Sequence, residues 1–344
     1  MMNRHAAFER FGSPAEVLRV VESPVEEPRE GEVCVRMVAA PVNPADFNYV
    51  QGVYGESPAL PCHHVGLEGF GIVERSRAEG FEPGDQVILL NGCGAWAQYL
   101  TAPAACFLKV TGHPDPMQAA MLKVNPLTAF LVLTLYADLQ PGDWVVQNAA
   151  NSGVGQCLIQ LARSMGLHTL NFVRRAEERR ATLMELGADI VLEDAADSLP
   201  VALRELGGVR PALASNCVGG ESATRLMDLL QPGATMVTFG SMSLKSVKVP
   251  NSFLIFRDIR LRGLWCTQWL QNTAPENIQA TYDQLAQMVA QGRLRQAVEA
   301  VYPLDALPQA VQHAQQSGRS GKILLSFDDS YSAPCTKDEE RTVH

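Results

Sequence analysis

A stretch near the middle of the chain has the residue types and the spacing of a turn that binds the pyrophosphate of a dinucleotide. Residues 143–156 read DWVVQNAANSGVGQ. In the Rossmann pattern G-x-G-x-x-G, the glycines allow a tight turn, the close approach of a phosphate and close packing of helix on strand. Those three positions fall here on Ala150, Ser152 and Gly155. Because two of the three glycines are missing, the surrounding sequence must decide whether the turn binds a nucleotide.

The residues of this turn still allow a phosphate to approach. Ser152 is small, and its hydroxyl or the amide of Asn151 can donate a hydrogen bond where glycine offers only its backbone N–H. Gly155 keeps the close contact between helix and strand. An ordinary strand-to-helix turn is the alternative. The turn follows an apolar strand-like run, opens a helix-like run and lies inside a predicted βαβ unit, so the context favours nucleotide binding.

Two arginines follow the next predicted strand, at the place that selects between two cofactors. The chain reads NFVRRAEE there, with Arg174 and Arg175 and no acid before Glu177. Folds that bind NAD place an acid at this point to hold the ribose 2′-hydroxyl, whereas an arginine suits a 2′-phosphate. Two solvated arginines at the start of a helix would otherwise face the positive end of its dipole without an anion. The pair therefore predicts NADPH as the cofactor.

The elements that position these residues alternate between strand and helix from residue 125 onwards. Apolar strand-like runs occur at residues 144–148, 169–173, 186–192, 212–218 and 234–240, and helix-like runs occur at 127–139, 153–165, 177–186 and 222–230. Strands separated by helices of this length predict a parallel, doubly wound sheet.

The two ends of the chain have a different pattern. Up to about residue 120 it is rich in strand-like runs, at residues 33–42, 70–76 and 85–91, which proline and glycine clusters separate. After residue 269 come a helix-like run at 278–291, a strand-like segment at 300–302 and a strand at 322–327. The polar tail, residues 328–344, is predicted to be disordered.

Composition and charge exclude several classes of protein. The 344 residues are 47% hydrophobic and 19% charged, and the formal net charge is −9. This predicts a soluble globular protein with room for two domains, and neither nucleic acid nor an anionic membrane as a partner. The N-terminus has neither a signal core nor an Arg-rich transit segment, which favours the cytoplasm or a mature form whose presequence has been removed.

The cysteines suggest neither disulfides nor a zinc ribbon. The eight are spread along the chain without a C-x-x-C pair, and several lie in apolar runs; they are Cys34, Cys62, Cys93, Cys106, Cys157, Cys217, Cys266 and Cys335. We therefore expect free thiols in a reducing compartment.

Several sequence blocks in the same order resemble one family. They are NPADFNYVQGVYG (43–55), KVNPLTAF (123–130), QNAANSGVGQ (147–156), NCVGG (216–220), MVTFGSMS (236–243) and SFLIFRDIRLRGLWCTQW (252–269). The chain resembles medium-chain dehydrogenase/reductases and, within them, the mitochondrial-type trans-2-enoyl-thioester reductases. The resemblance spans about residues 19–327.

The resemblance implies an α/β fold of two domains with the active cleft between them. A zinc-free, distorted β-barrel (GroES-like) catalytic domain would comprise residues 1–122 and a return segment at 268–327, around a Rossmann NADPH-binding domain at 123–267. It also implies NADPH-dependent reduction of a 2-enoyl thioester carried on coenzyme A or acyl carrier protein. A homodimer formed by edge pairing of the nucleotide-domain sheets is a further implication.

Site residues carry over from the resemblance one at a time. The catalytic tyrosine of the family falls on Tyr54, whose phenol could hydrogen-bond the developing enolate or pass a proton; a structural tyrosine is the alternative. Asn125 would face the nicotinamide. Asn151, Ser152, Gly153, Val154 and Gly155 would line the pyrophosphate. Further cofactor contacts would come from Phe239, Gly240, Ser241, Met242, Trp265, Cys266, Thr267 and Lys322, although Trp265 could equally be a core aromatic.

The chain departs from this family in two places. The relatives have Arg-Asp-Arg after the second strand of the nucleotide domain, whereas this chain has Arg174, Arg175 and Ala176. The stretch PCHHVGLEG at 61–69 has two histidines and an apparent extra residue. We therefore expect the phosphate contacts and the mouth of the cleft to differ.

Three other functions compete with this interpretation. A zinc alcohol dehydrogenase needs a cysteine and a histidine as ligands where this chain has VNPADFN and VGLEG, so no metal is expected. A zinc-free NADPH quinone reductase would share fold, cofactor and cleft, and would differ mainly at Tyr54 and the LWCTQW segment. A non-catalytic NADPH-binding regulatory protein could keep the same fold.

Overall fold

In the computed structural model, residues 1–55, 57–316 and 318–327 are described. The chain divides into two compact units, one formed by Met1–Lys123 with the chain from Pro275 onwards and the other by Val124–Ala274. The second unit thus extends beyond residue 267, because helix Cys266–Asn272 belongs to it. The tail predicted to be disordered, residues 328–344, lies outside the described residues.

The N-terminal part of the first unit consists mainly of strands. They are β1 (Met2–Ala7), β2 (Arg19–Pro24), β3 (Glu32–Pro41), β4 (Phe70–Ser76), β5 (Gln86–Leu89), β6 (Tyr99–Pro103) and β7 (Phe107–Lys109). Three short helices accompany them, α1 (Pro14–Val17), α2 (Pro44–Val50) and α3 (Pro116–Ala120). β1 and β2 pair as a separate antiparallel ribbon.

The second unit alternates strand and helix, as the sequence predicts. Its elements are α4 (Asn125–Leu135), β8 (Trp144–Gln147), α5 (Gly153–Ser164), β9 (His168–Val173), α6 (Ala176–Leu186), β10 (Ile190–Glu193), α7 (Ser198–Glu205), β11 (Leu213–Asn216), α8 (Gly220–Leu229), β12 (Thr235–Thr238), α9 (Asn251–Ile255), β13 (Arg260–Gly263) and α10 (Cys266–Asn272). The six strands are all parallel, in the order β10-β9-β8-β11-β12-β13. This is the 3-2-1-4-5-6 order of a Rossmann sheet, which confirms the doubly wound prediction.

The chain then returns to the first unit. It forms α11 (Pro275–Ala290), β14 (Val298–Pro303), α12 (Leu307–Gln315) and β15 (Lys322–Ser326). These strands complete a mixed sheet in the order β14-β15-β3-β4-β5-β7, and β6 also pairs with β3. The core of this unit includes Val35, Met37, Trp96, Leu307 and Leu325, all buried. Among the described residues, no helix combines the length and apolar character needed to cross a bilayer.

Candidate active site

The turn between β8 and α5 is shaped by its own side chains rather than by a run of glycines. Ser152 is the N-cap of α5, and its Oγ accepts a hydrogen bond from the N–H of Gly155 at 3.1 Å. Burial raises the pKa of the Cys217 thiol to about 12, against an opposing hydrogen bond from Ser152. The Ser152 hydroxyl therefore bonds to the start of α5 and to Cys217, which directly follows β11. The first N–H groups of α5, which have no partner within the helix, are the donors that the turn offers to a phosphate.

Two glycines of this turn have no room for a side chain. A Cβ on Gly155 would lie 2.6 Å from the Cα of Ala150, which is the close helix contact that the sequence predicts. A Cβ on Gly153 would lie 2.4 Å from Nδ2 of Asn125. Asn125 is buried at the start of α4. Asn125, which is expected at the nicotinamide, and Gly153, which is expected at the pyrophosphate, therefore lie in direct contact. This arrangement fits a dinucleotide phosphate against the start of α5.

The other predicted cofactor residues of the second unit lie just beyond the carboxyl ends of its parallel strands. Those following β12 are Phe239, Gly240, Ser241 and Met242, and those following β13 are Trp265, Cys266 and Thr267. The N–H of Met242 donates to the carbonyl of Cys217 at 2.9 Å, and the Sγ of Cys266 lies 3.1 Å from the Oγ1 of Thr128 on α4. Ligands of open parallel sheets bind at this edge.

The arginine pair lies beside an acid that sequence reasoning missed. Arg174 and Arg175 are exposed after β9, and Arg175 is the N-cap of α6 with a left-handed backbone (φ 57°, ψ 57°). The Glu193 carboxylate at the end of β10 accepts from the N–H of Arg175 at 2.9 Å and from that of Ala176 at 2.7 Å. Arg175 Nη1 also lies 3.3 Å from Glu178. The start of α6 therefore already has an anion, and the helix-dipole argument for a 2′-phosphate needs correction.

A buried polar network underlies the same edge of the sheet, and the sequence interpretation did not include it. Nδ2 of Asn148 donates to Oδ1 of Asn216 at 2.8 Å and to Oγ of Ser222 at 2.9 Å. Ser222 donates to Asp194 at 2.6 Å, and Arg225 forms an ion pair with the same carboxylate at 2.5 Å. The network links the ends of β8, β10 and β11. Polar residues at the ends of these three strands are the signal that could have predicted it.

Tyr54 lies in the first unit, in the turn that follows α2. The N–H groups of Val53 and Tyr54 both donate to the carbonyl of Asn48, at 2.9 and 3.2 Å. Gly52 has a φ of +74° and lies against the ring of Phe11, where a Cβ would come within 2.9 Å of the ring. The Tyr54 side chain is half-buried and packs against the core of this unit. The end of α2 thus holds the tyrosine in a defined turn.

The two stretches that would carry the ligands in a zinc dehydrogenase meet in the first unit around Asn43. Its Nδ2 donates to Oε1 of Glu68 at 2.7 Å, and its N–H donates to Oδ2 of Asp46 at 2.7 Å. The ammonium of Lys322 donates to Oδ1 of Asn43. Asn43, Asp46 and Glu68 are at most 3% exposed. Among the described residues, no group of three histidine, cysteine or acidic side chains is placed to hold a metal ion.

The buried Asp46 gives the stability of the protein a distinct pH dependence. Burial raises the pKa of Asp46 to about 7, although N–H groups of Asn43 and Leu67 bond to its carboxylate. The unfolded carboxyl titrates near its ordinary value of 3.8. Between these pH values the folded protein retains a proton that the unfolded chain has lost. Wild-type stability therefore falls as the pH rises from about 4 to about 7.

Asp46→Asn removes this titration, so the variant gains relative stability as the pH rises. From pH 5 to pH 8, the unfolding free energy of the variant minus that of the wild type should increase by about 2 to 4 kcal/mol. Each unit of pKa difference corresponds to roughly 1.4 kcal/mol. Urea unfolding at the two pH values measures the shift, and Asp197→Asn at an exposed position is the control. A difference that does not change with pH would contradict an elevated pKa.

In the part of the chain that the structure describes, the histidines of the segment 61–69 and the cysteines form no metal-ligand set either. His63 lies 3.4 Å from His5 through ring nitrogens. Seven of the described cysteines form no disulfide, and four of these are buried. Cys93 Sγ lies 3.0 Å from the hydroxyl of Tyr49. The eighth, Cys335, lies outside the described residues.

A Rossmann unit inserted in the sequence of a mixed-sheet unit, with a candidate cofactor-binding turn after its first strand, is typical of a two-unit, nucleotide-dependent dehydrogenase or reductase. Comparison with protein families agrees. Residues 29–112 match the alcohol dehydrogenase GroES-like domain, and residues 153–319 match the zinc-binding dehydrogenase family. The predicted fold class is thereby confirmed.

Individual relatives define the family more closely. The mitochondrial enoyl-[acyl-carrier-protein] reductase of Arabidopsis thaliana is 39% identical over 93% of this chain and 87% of its own. A putative NADPH:quinone reductase from Bacillus thuringiensis has a TM-score of 0.87 at 27% identity, over 95% of this chain and 99% of its own. The chain belongs to the medium-chain dehydrogenase/reductases and, within them, to the mitochondrial-type enoyl thioester reductases.

Two further similar structures are of enoyl thioester reductases, one as a heterodimer and one with ligands. The mitochondrial 2-enoyl thioester reductase Etr1p/Etr2p heterodimer from Candida tropicalis has a TM-score of 0.85 at 27% identity, over 95% of this chain and 100% of its own. The complex of Etr1p with NADP and crotonyl-CoA has a TM-score of 0.84 at 28% identity, with the same coverage.

Proposed function

We propose that the protein reduces the 2,3 double bond of trans-2-enoyl thioesters with NADPH. The observation that carries this proposal is the near-full-length similarity to enoyl-[acyl-carrier-protein] reductases. A similar fold is described with NADP and crotonyl-CoA. The thioester is carried on coenzyme A or acyl carrier protein.

In this function the chemistry that NADPH would supply when bound is a hydride for the β-carbon of the substrate. Negative charge then develops on the thioester oxygen, and the α-carbon needs a proton. We assign to Tyr54 the stabilisation of this charge or the delivery of the proton. Its phenol can donate a hydrogen bond to an enolate or pass a proton to carbon, directly or through water. The turn after α2 holds its backbone in place through two hydrogen bonds to Asn48.

The second unit would hold the cofactor by its phosphates. The start of α5, with Gly153 and Val154 in its first turn and Asn151 just before its N-cap, would provide N–H donors to the pyrophosphate. We propose that the guanidinium groups of Arg174 and Arg175 bind the 2′-phosphate, because the N–H groups at the start of α6 already donate to Glu193. The segments after β12 and β13, with Asn125, would line the rest of the cofactor. Lys322 is assigned to the cofactor as well.

A quinone reductase is the second candidate, and the structural similarity to the Bacillus thuringiensis protein favours it. The experiment that separates the two follows NADPH oxidation with crotonyl-CoA and with a quinone, with a strong chelator present throughout. We expect turnover of the thioester at least tenfold above that of the quinone, and full activity in the chelator because no metal ligand set is required. Faster turnover of the quinone, or loss of activity on chelation together with one zinc per chain, would overturn the proposal.

We propose that two chains form a dimer through β13. This strand is at the edge of the parallel sheet, and its four residues are exposed. Leu254, Ile255, Phe256 and Leu261 lie on or near it, each at least 40% exposed. An unpaired edge beside apolar side chains can pair with the same edge of a second copy about a twofold axis.

Charges placed on this surface should separate the two chains. In Phe256→Glu, symmetry would bring two carboxylates into an apolar contact, so we expect the dimer dissociation constant to rise at least tenfold. Light scattering after size exclusion gives the mass at several concentrations. Val209→Glu, an exposed apolar residue elsewhere on the second unit, is the matched control. An unchanged dimer in Phe256→Glu would contradict this interface, as would a monomeric wild-type protein.

The relatives are named as mitochondrial proteins. We propose the mitochondrial matrix for this chain if its source is eukaryotic, and the cytoplasm if its source is bacterial.

A further inference from the structure

A row of hydrogen-bonded side chains in the second unit connects an ion pair on α8 to the end of β8. Nε and Nη2 of Arg225 donate to the Asp194 carboxylate at 3.0 and 2.5 Å. The same carboxylate accepts from the hydroxyl of Ser222 at 2.6 Å, and that hydroxyl accepts from Nδ2 of Asn148 at 2.9 Å. Ser222 and Asn148 are buried. All four residues belong to the same compact unit.

The negative charge of Asp194 fixes the direction of each hydrogen bond in this row. An ionised carboxylate can only accept, and a serine hydroxyl has one proton to donate. Ser222 gives that proton to Asp194, so it can only accept from Asn148. The amide of Asn148 must therefore present its nitrogen to Ser222. Its oxygen then accepts from the N–H of Cys217 at 2.9 Å.

The amide of Asn216, at the end of β11, requires the same orientation of Asn148. Its Oδ1 accepts from the N–H groups of Val218 and Gly219 at 3.2 and 3.1 Å. The same oxygen accepts from Nδ2 of Asn148 at 2.8 Å. A flipped Asn148 amide would set two oxygens against each other here. Because both amides are at most 2% exposed, water cannot replace these bonds at low cost.

The residues that follow β11 in turn hold the residues that follow β12. The carbonyl of Cys217 accepts from the N–H of Met242 at 2.9 Å. The carbonyl of Val218 accepts from the N–H of Ser243 at 3.0 Å. The thiol of Cys217 also bonds to the hydroxyl of Ser152, in the turn before α5. Cys217 thus connects that turn with the segment after β12, at the edge where open parallel sheets bind their ligands.

We propose that Asn148 is a positioning residue for the cofactor, and that Asp194 acts on it through Ser222. Asn148 would hold Cys217, and with it the segments after β8 and β12, in one arrangement before the ligand arrives. This reduces the entropy lost on binding. Asn148 itself need not touch NADPH. The inference rests on the proposed function, in which the second unit binds NADPH at this edge.

A double-mutant cycle on NADPH binding tests the inference without relying on turnover. The dissociation constant is measured by the fluorescence of NADPH for the wild type, Asn148→Ala, Ser222→Ala and the double variant, and the melting temperature is measured alongside. Asn171→Ala is the matched control, because Asn171 is a fully buried amide whose side chain bonds to β8, β9 and β10. Should Asn148→Ala not fold, Asp194→Asn replaces it in the same cycle.

We expect Asn148→Ala to raise the dissociation constant about tenfold and Ser222→Ala about fivefold, whereas the double variant should match Asn148→Ala within about twofold. Asn171→Ala should lower the melting temperature and leave the dissociation constant within about twofold of the wild type.

An equal effect of Ser222→Ala in both backgrounds would show that it acts without Asn148 and would overturn the inference. An unchanged constant in Asn148→Ala would also overturn it. So would a rise in Asn171→Ala as large as that in Asn148→Ala, because lost stability alone would then explain the effect. Failure of the wild type to bind NADPH would instead overturn the proposed function and this inference together.

Discussion

Replacing Tyr54 with phenylalanine is expected to lower the turnover of a 2-enoyl thioester on the order of 100-fold or more. The substitution removes one oxygen and keeps the ring, so the packing against the core of the first unit is retained. The affinity for NADPH and the melting temperature should change little. The loss should appear in kcat and equally in kcat/KM, because the phenol would act on charge that develops in the transition state.

Steady-state kinetics on crotonyl-CoA, with NADPH affinity measured separately, provide the test. Tyr99→Phe, at a half-buried position on β6 of the same unit, is the matched control and should retain full turnover. Wild-type turnover in Tyr54→Phe would remove this residue from the mechanism and make the quinone reductase the leading interpretation. A rise in KM with kcat intact would mean that the hydroxyl binds substrate and transition state equally.

Arg174→Ala is expected to weaken NADPH binding by roughly 10- to 150-fold and NADH binding far less. The guanidinium would form charge-assisted hydrogen bonds to the 2′-phosphate, each worth roughly 1.5 to 3 kcal/mol, and NADH has no such phosphate. Fluorescence titration with both cofactors measures the difference. Arg180→Ala, exposed on α6, is the control. Equal losses for the two cofactors, or equal affinities in the wild type, would remove the arginine from this role.

The sequence predicts well those elements that are defined by a short, continuous run of apolar residues. The run FGIVERS was predicted as a strand and forms β4 (Phe70–Ser76), and the helix after the nucleotide turn begins at Gly153 as expected. β13 was not predicted because its sequence, RLRG, alternates charge with one apolar residue and its side chains are exposed. An edge strand of this kind is defined by pairing with β12, which no local pattern reveals.

The same distinction between local and distant contacts applies to the candidate site. The turn around Ser152 could be predicted because its residues are consecutive. Glu193 binds the start of α6 from 18 residues further along the chain, and Lys322 reaches Asn43 across 279 residues. Such contacts depend on strand register, so the sequence alone could not provide them.

The arginine pair shows how an incomplete local argument can mislead. Two cations at the start of a helix favour a nearby anion, and the sequence interpretation assigned that anion to the cofactor. In the structure, Glu193 and Glu178 already provide negative charge there. The assignment of Arg174 to the 2′-phosphate therefore depends on the measured difference between NADPH and NADH.

The most direct test of the proposed reaction follows a deuterium label from cofactor to product. Crotonyl-CoA is reduced with NADPH that carries deuterium at the transferable position of the nicotinamide, and the product is analysed by mass spectrometry and NMR. We expect butyryl-CoA with one cofactor-derived deuterium at the β-carbon and, in heavy water, one solvent deuterium at the α-carbon. Absence of the saturated thioester, or a product with no cofactor-derived deuterium at the β-carbon, would contradict it.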